Sequence, residues 1–327
     1  MEAVVFHQPS ETSDFTSVQD LPTPAVGVGQ VLIDVEFAGV NYIDIMARRG
    51  DPGYASSWPF VPGLEVVGAV AATGSDRSRY HVGQRVAAFT SGGGLAQQAV
   101  ADELLVVSLP ASVDGATGAA APLMLSTALL LLRDASRFVP GDTVLMHSVG
   151  GGVGSAVAQL VAALGGGRLI GTVGDASKQA AARAAGWDHV LVRGDRLAAH
   201  VKDVAPSGAD VILDPLGTTM LDFDLSHAAA GGRIVLFGNP GADTLAHLPP
   251  VGRLIGGNLS VGGFSISRLS RSAPHQVARA LREVLDLLAD GRLGLAVNVV
   301  DGLQEVPSTH DLLARGRSTG KHVIRVS

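Results

Sequence analysis

A doubly wound parallel α/β sheet joined to a second, β-rich unit is the fold class this 327-residue sequence predicts. Three observations predict it. The first is TVLMHSVGGGVGSAVAQLVAAL at 143–164, where an apolar, β-branched run meets a glycine-rich turn and then a helix-forming segment. That order puts the positive N-terminal end of a helix beyond a turn that can cradle a phosphate. The second is the regular alternation of strand-like and helix-like segments that follows Pro122. The third is a count of 42 glycines, gathered at turns after apolar runs, where α/β folds need them.

Each element can be justified in order. To about Ala121, short runs such as VLIDVEFAGV, EVVGAVAAT and QRVAAF alternate with Gly/Pro punctuation, as a β-rich unit requires. From Pro122 onward, strands are expected at 143–147, 168–173, 189–192, 210–214, 232–238 and 258–264. Helices fit between them at 155–164, 177–185 and 218–229. Ser272-Ala273-Pro274 then signals a helix start, and Val277, Leu281, Val284 and Leu288 recur on one face at helical spacing. Gly291 stops that helix, and HVIRV at 322–326 makes a closing strand that folds back onto the first region. The expected domains are therefore 1–122 with 268–327, and 123–267.

Composition narrows the function. Charged residues make up 17% of the chain against roughly 25% in typical domains, which indicates a well-buried fold. A formal charge of −6 and the lack of any basic block argue against a nucleic-acid groove. Cysteine is absent, which removes disulfides, thiolate catalysis and thiolate-ligated metals. The ten histidines are scattered, with no ligand-type spacing to one another or to carboxylates. No signal-peptide pattern opens the chain. The longest apolar stretch, near 119–132, is interrupted by Pro122, Ser126 and Thr127 and reads as too short for a bilayer, which needs about 20 residues. The expectation is a cytoplasmic protein acting on a small molecule, with no nucleic-acid and no membrane partner.

Within the glycine-rich turn, Gly151 and Gly154 hold the second and third positions of a dinucleotide fingerprint. Gly152 and Val153 lie between them, and Val149 stands where the first glycine belongs. An acidic residue some 20 positions on would bind a ribose 2′-hydroxyl, and Asp175 lies near that distance, an argument for NADH. It follows Val173-Gly174, however, beyond the expected strand end. Lys178 and Arg193 offer two cations for one phosphate dianion and favour NADPH; both also suit a solvated surface. Gly217, Phe237, Gly238, Asn239, Phe264 and Ser265 end the fourth, fifth and sixth strands, at the carboxyl edge where a dinucleotide lies.

Several motifs in sequence order carry a resemblance: GVNYIDIMARRG (39–50), VPGLEVVG (61–68), VGQRV (82–86), HSVGGGVG (147–154), LIGTVGDASK (169–178), DPLG (214–217), LFGN (236–239) and GKHVI (320–324). Nearly end to end, the chain resembles the zinc-free quinone oxidoreductases (zeta-crystallin-like) of the medium-chain dehydrogenase/reductase superfamily. The resemblance implies a Rossmann nucleotide-binding domain and a discontinuous GroES-like catalytic domain. It also implies NADPH-dependent hydride transfer to a quinone or an α,β-unsaturated carbonyl. Metal-dependent relatives place a cysteine at the position of Asn41 and a histidine at that of Leu64, so no metal is expected. Asn41, Tyr42 and Tyr54 are the implied acceptor contacts; turn formation for Asn41 and core packing for the tyrosines are the alternatives. Thr127 matches a position bordering the nicotinamide, unless its hydroxyl bonds its own helix. Lys178 matches a 2′-phosphate lysine; Arg317 and Lys321 are the tail candidates for a phosphate or nicotinamide contact, with surface roles as the alternative. Glu65 reads as a buried structural carboxylate. The strand NLSVGGF resembles an edge through which relatives pair as homodimers. Competing expectations are an enoyl reductase of a biosynthetic pathway and a low-turnover NADPH-binding structural or redox-sensing protein.

Overall fold

Six parallel strands form the centre of one of two structural units. A computed structural model describes every residue except Ser56, 242–244, Ala246, Pro249, Pro250 and Ser327. The unit Thr127–Ser265 holds these strands, which are, in chain order, Thr143–Met146, Arg168–Val173, His189–Val192, Ala209–Asp214, Ala228–Leu236 and Ser260–Gly263. In space they run third, second, first, fourth, fifth, sixth, and all five neighbouring pairs are parallel. The order reverses between the first and fourth strands, and at such a point the loops part to leave a crevice for a dinucleotide. Leu145, Ile170, Ile212 and Ile234 from the strands pack against Leu197, Val201 and Leu221 from the helices. Burying branched side chains on both faces is what permits near-continuous apolar strands.

Two strands match the expected spans to the residue, Arg168–Val173 and His189–Val192. The largest displacement is in the fifth. It begins at Ala228, four residues before the expected start, and shortens the preceding helix to Leu221–His227. The added segment, AAAG, has little strand preference of its own. Pairing of Ala228 with Ala209 enrols it, before a register shift between Ala209 and Val211.

The other unit comprises Met1–Ser126 and Ile266–Ser327. Its main sheet has the order Val297–Asp301, Lys321–Arg325, Gln30–Val40, Glu65–Thr73, Arg85–Phe89, Val106–Ser108, with Gln98–Asp102 also paired to Gln30–Val40. The C-terminal strand runs antiparallel to Gln30–Val40, with His322 opposite Val40 and Ile324 opposite Ala38. The tail is thereby an interior part of the N-terminal fold. The helix Pro274–Ala289 starts with proline in its first turn, where a missing N–H costs nothing. Val277, Leu281 and Val284 are buried on it, but Leu288 is only half-buried and Leu285 takes its place in the core.

The apolar stretch near 119–132 departs from expectation. Helical structure runs through Gly115–Ala135, 21 residues whose most apolar 18-residue window has a mean hydropathy of 1.6, long and apolar enough to cross a membrane. Pro122 does not end it, because the backbone passes through a π-helical segment, Ala121–Leu125, that accommodates the ring. Some 94% of its most apolar window is buried inside the fold, so it is a core helix.

Candidate functional site

The turn after the first parallel strand explains its own irregular fingerprint. The left-handed backbone that a glycine usually supplies is taken by Ser148, with φ +59°. Val149 is therefore free to carry a side chain, and it is fully buried. Room for it exists because Gly171 lies opposite in the second strand: a Cβ there would come within 2.4 Å of Val149 Cγ2. Gly154 is required for a different reason. A Cβ on it would sit 2.4 Å from the Val149 carbonyl oxygen, so only glycine lets the helix Gly152–Ala163 approach the turn. Gly151 is the N-cap of that helix, and Gly152 and Val153 form its first turn. Their backbone N–H groups are the unpaired donors of a helix start.

Two cations converge on this turn. The Lys178 side chain lies across Gly150, whose Cβ, were there one, would be 2.9 Å from Lys178 Cδ. The Arg193 guanidinium lies against Gly174, 2.8 Å from the place of its Cβ, and donates to Ser148 Oγ and Thr172 Oγ1, each at 3.2 Å. Burial lowers the pKa of both groups, and for Lys178 the neighbouring guanidinium lowers it further. Among the described residues, Lys178 has no carboxylate in salt-bridge range. Asp175, the residue that argued for NADH, caps the next turn by accepting from Ser177 N at 2.8 Å. A phosphate dianion would relieve the repulsion between the two cations, so these residues fit a 2′-phosphorylated nucleotide.

The other expected nucleotide contacts lie at the strand ends of the same unit. Phe237 N donates to Asp214 O and Phe264 N to Leu236 O, which carries the parallel pairing one residue beyond the strands. Gly217 has φ +80°, and the place of its Cβ is 3.0 Å from Asn239 Oδ1. Gly238 packs onto the Pro215 carbonyl, which a Cβ would meet at 2.5 Å. Ser265 is exposed and follows directly. Thr127 is buried, and its hydroxyl bonds neither its own helix nor any other described group. Such an orphan hydroxyl fits a ligand's polar edge.

Lys321 leaves the cofactor set. It is 4% exposed in the sheet of the other unit, and its ammonium donates to Val40 O at 2.9 Å, Asn41 Oδ1 at 2.6 Å and Glu65 Oε1. All three N–H donors are thus committed internally. Glu65, fully buried, also accepts from Asn41 Nδ2 at 2.8 Å and from Leu123 N at 2.7 Å. Gly39 admits this carboxylate, since a Cβ there would be 2.2 Å from Glu65 Oε1. The arrangement does not fit zinc: Leu64 offers no ligand atom, and the oxygens of Asn41 and Glu65 already hold the ammonium. Asn41 is both the N-cap of Tyr42–Arg49 and a member of this cluster. Tyr42 opens that helix, and Tyr54 lines a cavity in this unit with Asp44, Phe60, Thr90 and Arg271. Asp44, which the sequence did not single out, accepts from Asn41 N at 2.8 Å; burial pushes its carboxyl up to about 7.

Comparison with known proteins bears on the whole chain. Residues 27–125 match the family described as alcohol dehydrogenase GroES-like domain, and 152–288 that described as zinc-binding dehydrogenase. The quinone oxidoreductase of Sus scrofa is 30% identical over 311 residues, covering 93% of this chain and 92% of that protein. The chain belongs to the quinone oxidoreductase-like family of the medium-chain dehydrogenase/reductase superfamily. Human quinone oxidoreductase is 29% identical over 319 residues, with 93% and 92% covered. The structure of Escherichia coli quinone oxidoreductase complexed with NADPH matches with a TM-score of 0.88 and 25% identity, covering 99% of this chain and 100% of that one. The family is one of oxidoreductases with a GroES-like and a Rossmann domain, and the two sheets described above are those domains.

Sequence reasoning missed two groups. One is Lys321 with Glu65, 256 residues apart. The other is His147 with Thr172, Asp214 and Asp224, all buried in the Rossmann domain. No sequence spacing announces this group, because strand ends assemble it in space.

Proposed function

We propose that this protein is an NADPH-dependent, metal-independent oxidoreductase that delivers hydride to a quinone or an α,β-unsaturated carbonyl. The observation that carries the reading is the convergence of Lys178 and Arg193 over Gly150 and Gly174, beside the glycine-rich turn. When bound, the reduced nicotinamide supplies the hydride. Gly151, Gly152, Val153 and Gly154 offer the backbone that receives its pyrophosphate, and the two cations take the 2′-phosphate. Thr127, Gly217, Phe237, Gly238, Asn239, Phe264 and Ser265 border the rest. Acceptors of this class are already electron-poor, so hydrogen-bond donors suffice where no metal polarises a carbonyl. Asn41, Tyr42 and Tyr54 are the proposed contacts to the acceptor. Support comes from the relatives named as quinone oxidoreductases and from the NADPH complex of the E. coli protein.

The test is NADPH oxidation with 1,4-benzoquinone, 9,10-phenanthrenequinone and a panel of enones, before and after dialysis against a chelator. Steady turnover unaffected by the chelator is expected. NADPH binding without turnover on any acceptor would leave a binding protein instead, and activity lost with zinc and restored by it would refute metal independence.

We also propose a homodimer. Among the described residues, the strand Ser260–Gly263 is the edge of the Rossmann sheet, paired on one side only. Just before it, Leu248, Val251 and Ile255 expose 64%, 64% and 72% of their surface, apolar groups of the kind that mark an interaction surface. Light scattering should give twice the 33.3 kDa chain mass; a monomer at micromolar concentration contradicts the assignment.

A further inference from the structure

The buried histidine group of the Rossmann domain is not used by the reading above, yet it ends on Arg193. His147 Nε2 lies 2.8 Å from Asp224 Oδ1, and His147 Nδ1 lies 2.9 Å from Thr172 Oγ1. Thr172 Oγ1 in turn accepts from Arg193 Nη1. His147, Thr172, Asp214 and Asp224 are all 0% exposed.

The direction of every bond follows from its Asp224 end. A carboxylate oxygen accepts, so the Nε2 proton points at Asp224 Oδ1. A ring this deeply buried is neutral, which makes Nδ1 an acceptor; the Thr172 hydroxyl proton therefore points at Nδ1 while its oxygen accepts from Arg193. Burial agrees, holding the imidazole pKa down at about 4. At the far end, Asp214 Oδ1 accepts from Leu216 N at 2.7 Å, while Asp214 Oδ2 and Asp224 Oδ2 accept from nothing among the described residues. One ligand-type atom from each of His147, Asp214 and Asp224 lies within 4.8 Å of the others. Two bare carboxylates so close in a dry interior repel, and burial pushes both carboxyl groups up to about 7. A proton held between the aspartates completes the chain. Both nitrogens of His147 are already committed to hydrogen bonds, so a proton rather than a cation matches this donor set.

We infer that Asp224, His147 and Thr172 form a positioning chain that fixes the Arg193 guanidinium for a 2′-phosphate, making Thr172 a specificity-determining residue for NADPH over NADH. The inference rests on the cofactor reading given above. The Thr172 and Ser148 oxygens are the two acceptors that hold Arg193 Nη1 beside the turn. Without the Thr172 oxygen, the guanidinium keeps one tether and loses its fixed direction. A nucleotide lacking the 2′-phosphate does not sense that change.

The experiment compares dissociation constants of NADPH and NADH for the wild type, Thr172→Val, Thr172→Ser and Arg193→Ala. Thr172→Val should weaken NADPH about 10-fold, as the loss of one bond to a charged group implies, and leave NADH within about two-fold. Thr172→Ser keeps the hydroxyl and should restore the wild-type ratio. Equal loss of both nucleotides, or no loss of either, overturns the positioning role. If Arg193→Ala itself leaves the ratio unchanged, the 2′-phosphate assignment fails instead, and the two failures are thereby distinguished. A measurement on unmutated protein stands beside these: histidine ¹⁵N shifts at pH 7 should show His147 as the neutral Nε2–H tautomer. An imidazolium or the Nδ1–H tautomer breaks the chain.

Discussion

Arg193→Ala weakens NADPH binding by about 10- to 100-fold and leaves NADH nearly untouched, because one charge-assisted phosphate contact contributes about 1.5–3 kcal/mol. Arg193 is the stronger of the two cations in this respect, being held at Ser148 and Thr172 before any ligand arrives. A pre-oriented fork loses little freedom on binding. Lys178→Ala should cost NADPH less, about 10-fold, since its flexible stem lies over Gly150 without a fixed acceptor. Removing one cation also relieves the other of a like charge and so partly compensates each single loss; the double variant should therefore lose more than the product of the single losses. Isothermal titration with both nucleotides reads all of this directly. Parallel losses for NADH and NADPH would move both residues out of the phosphate site.

The second large effect concerns stability. Glu65→Gln leaves the Lys321 ammonium buried with only neutral acceptors, and breaking a buried pair in this way costs about 3–5 kcal/mol. A fall in melting temperature of roughly 10 °C is expected by calorimetry. Lys321→Met should cost a similar amount, stranding the carboxylate against Leu123 N and Asn41 Nδ2. The informative variant is the double one, Glu65→Gln with Lys321→Met. It removes both charges together, so it should be less destabilised than the sum of the singles. Additive losses would mean that the two residues do not act as a pair. Because Lys321 joins the C-terminal strand to the Glu65 strand, the pair also ties the tail into the N-terminal sheet.

The parts of the fold legible in the sequence are those with local causes. Arg168–Val173 and His189–Val192 announce themselves by β-branched runs between turn residues. The phosphate turn is legible because its glycines are required within eight residues of one another. The start of the fifth strand is not, since Ala228 to Gly231 carry no strand signal and join the sheet only through a neighbour. Lys321 could be aligned with relatives but not placed by pattern. Nothing near GKHVI indicates that its partner is 256 residues away. His147 shows the same limit: each of its contacts comes from a different strand end or helix, at separations of 25 and 77 residues.

Val149 and Gly171 share a single volume, so neither position can be read alone. The valine is tolerated in a loop where glycine is customary only because the adjacent strand lacks a side chain at its fourth residue. An alanine at 171 would evict the isopropyl group and distort the loop, whereas in a sibling protein whose loop has glycine at 149 the same alanine would press only on the ring of Trp187. Searches that demand a fixed glycine signature will overlook sequences of this kind. A rule that trades bulk between the two sites would find them.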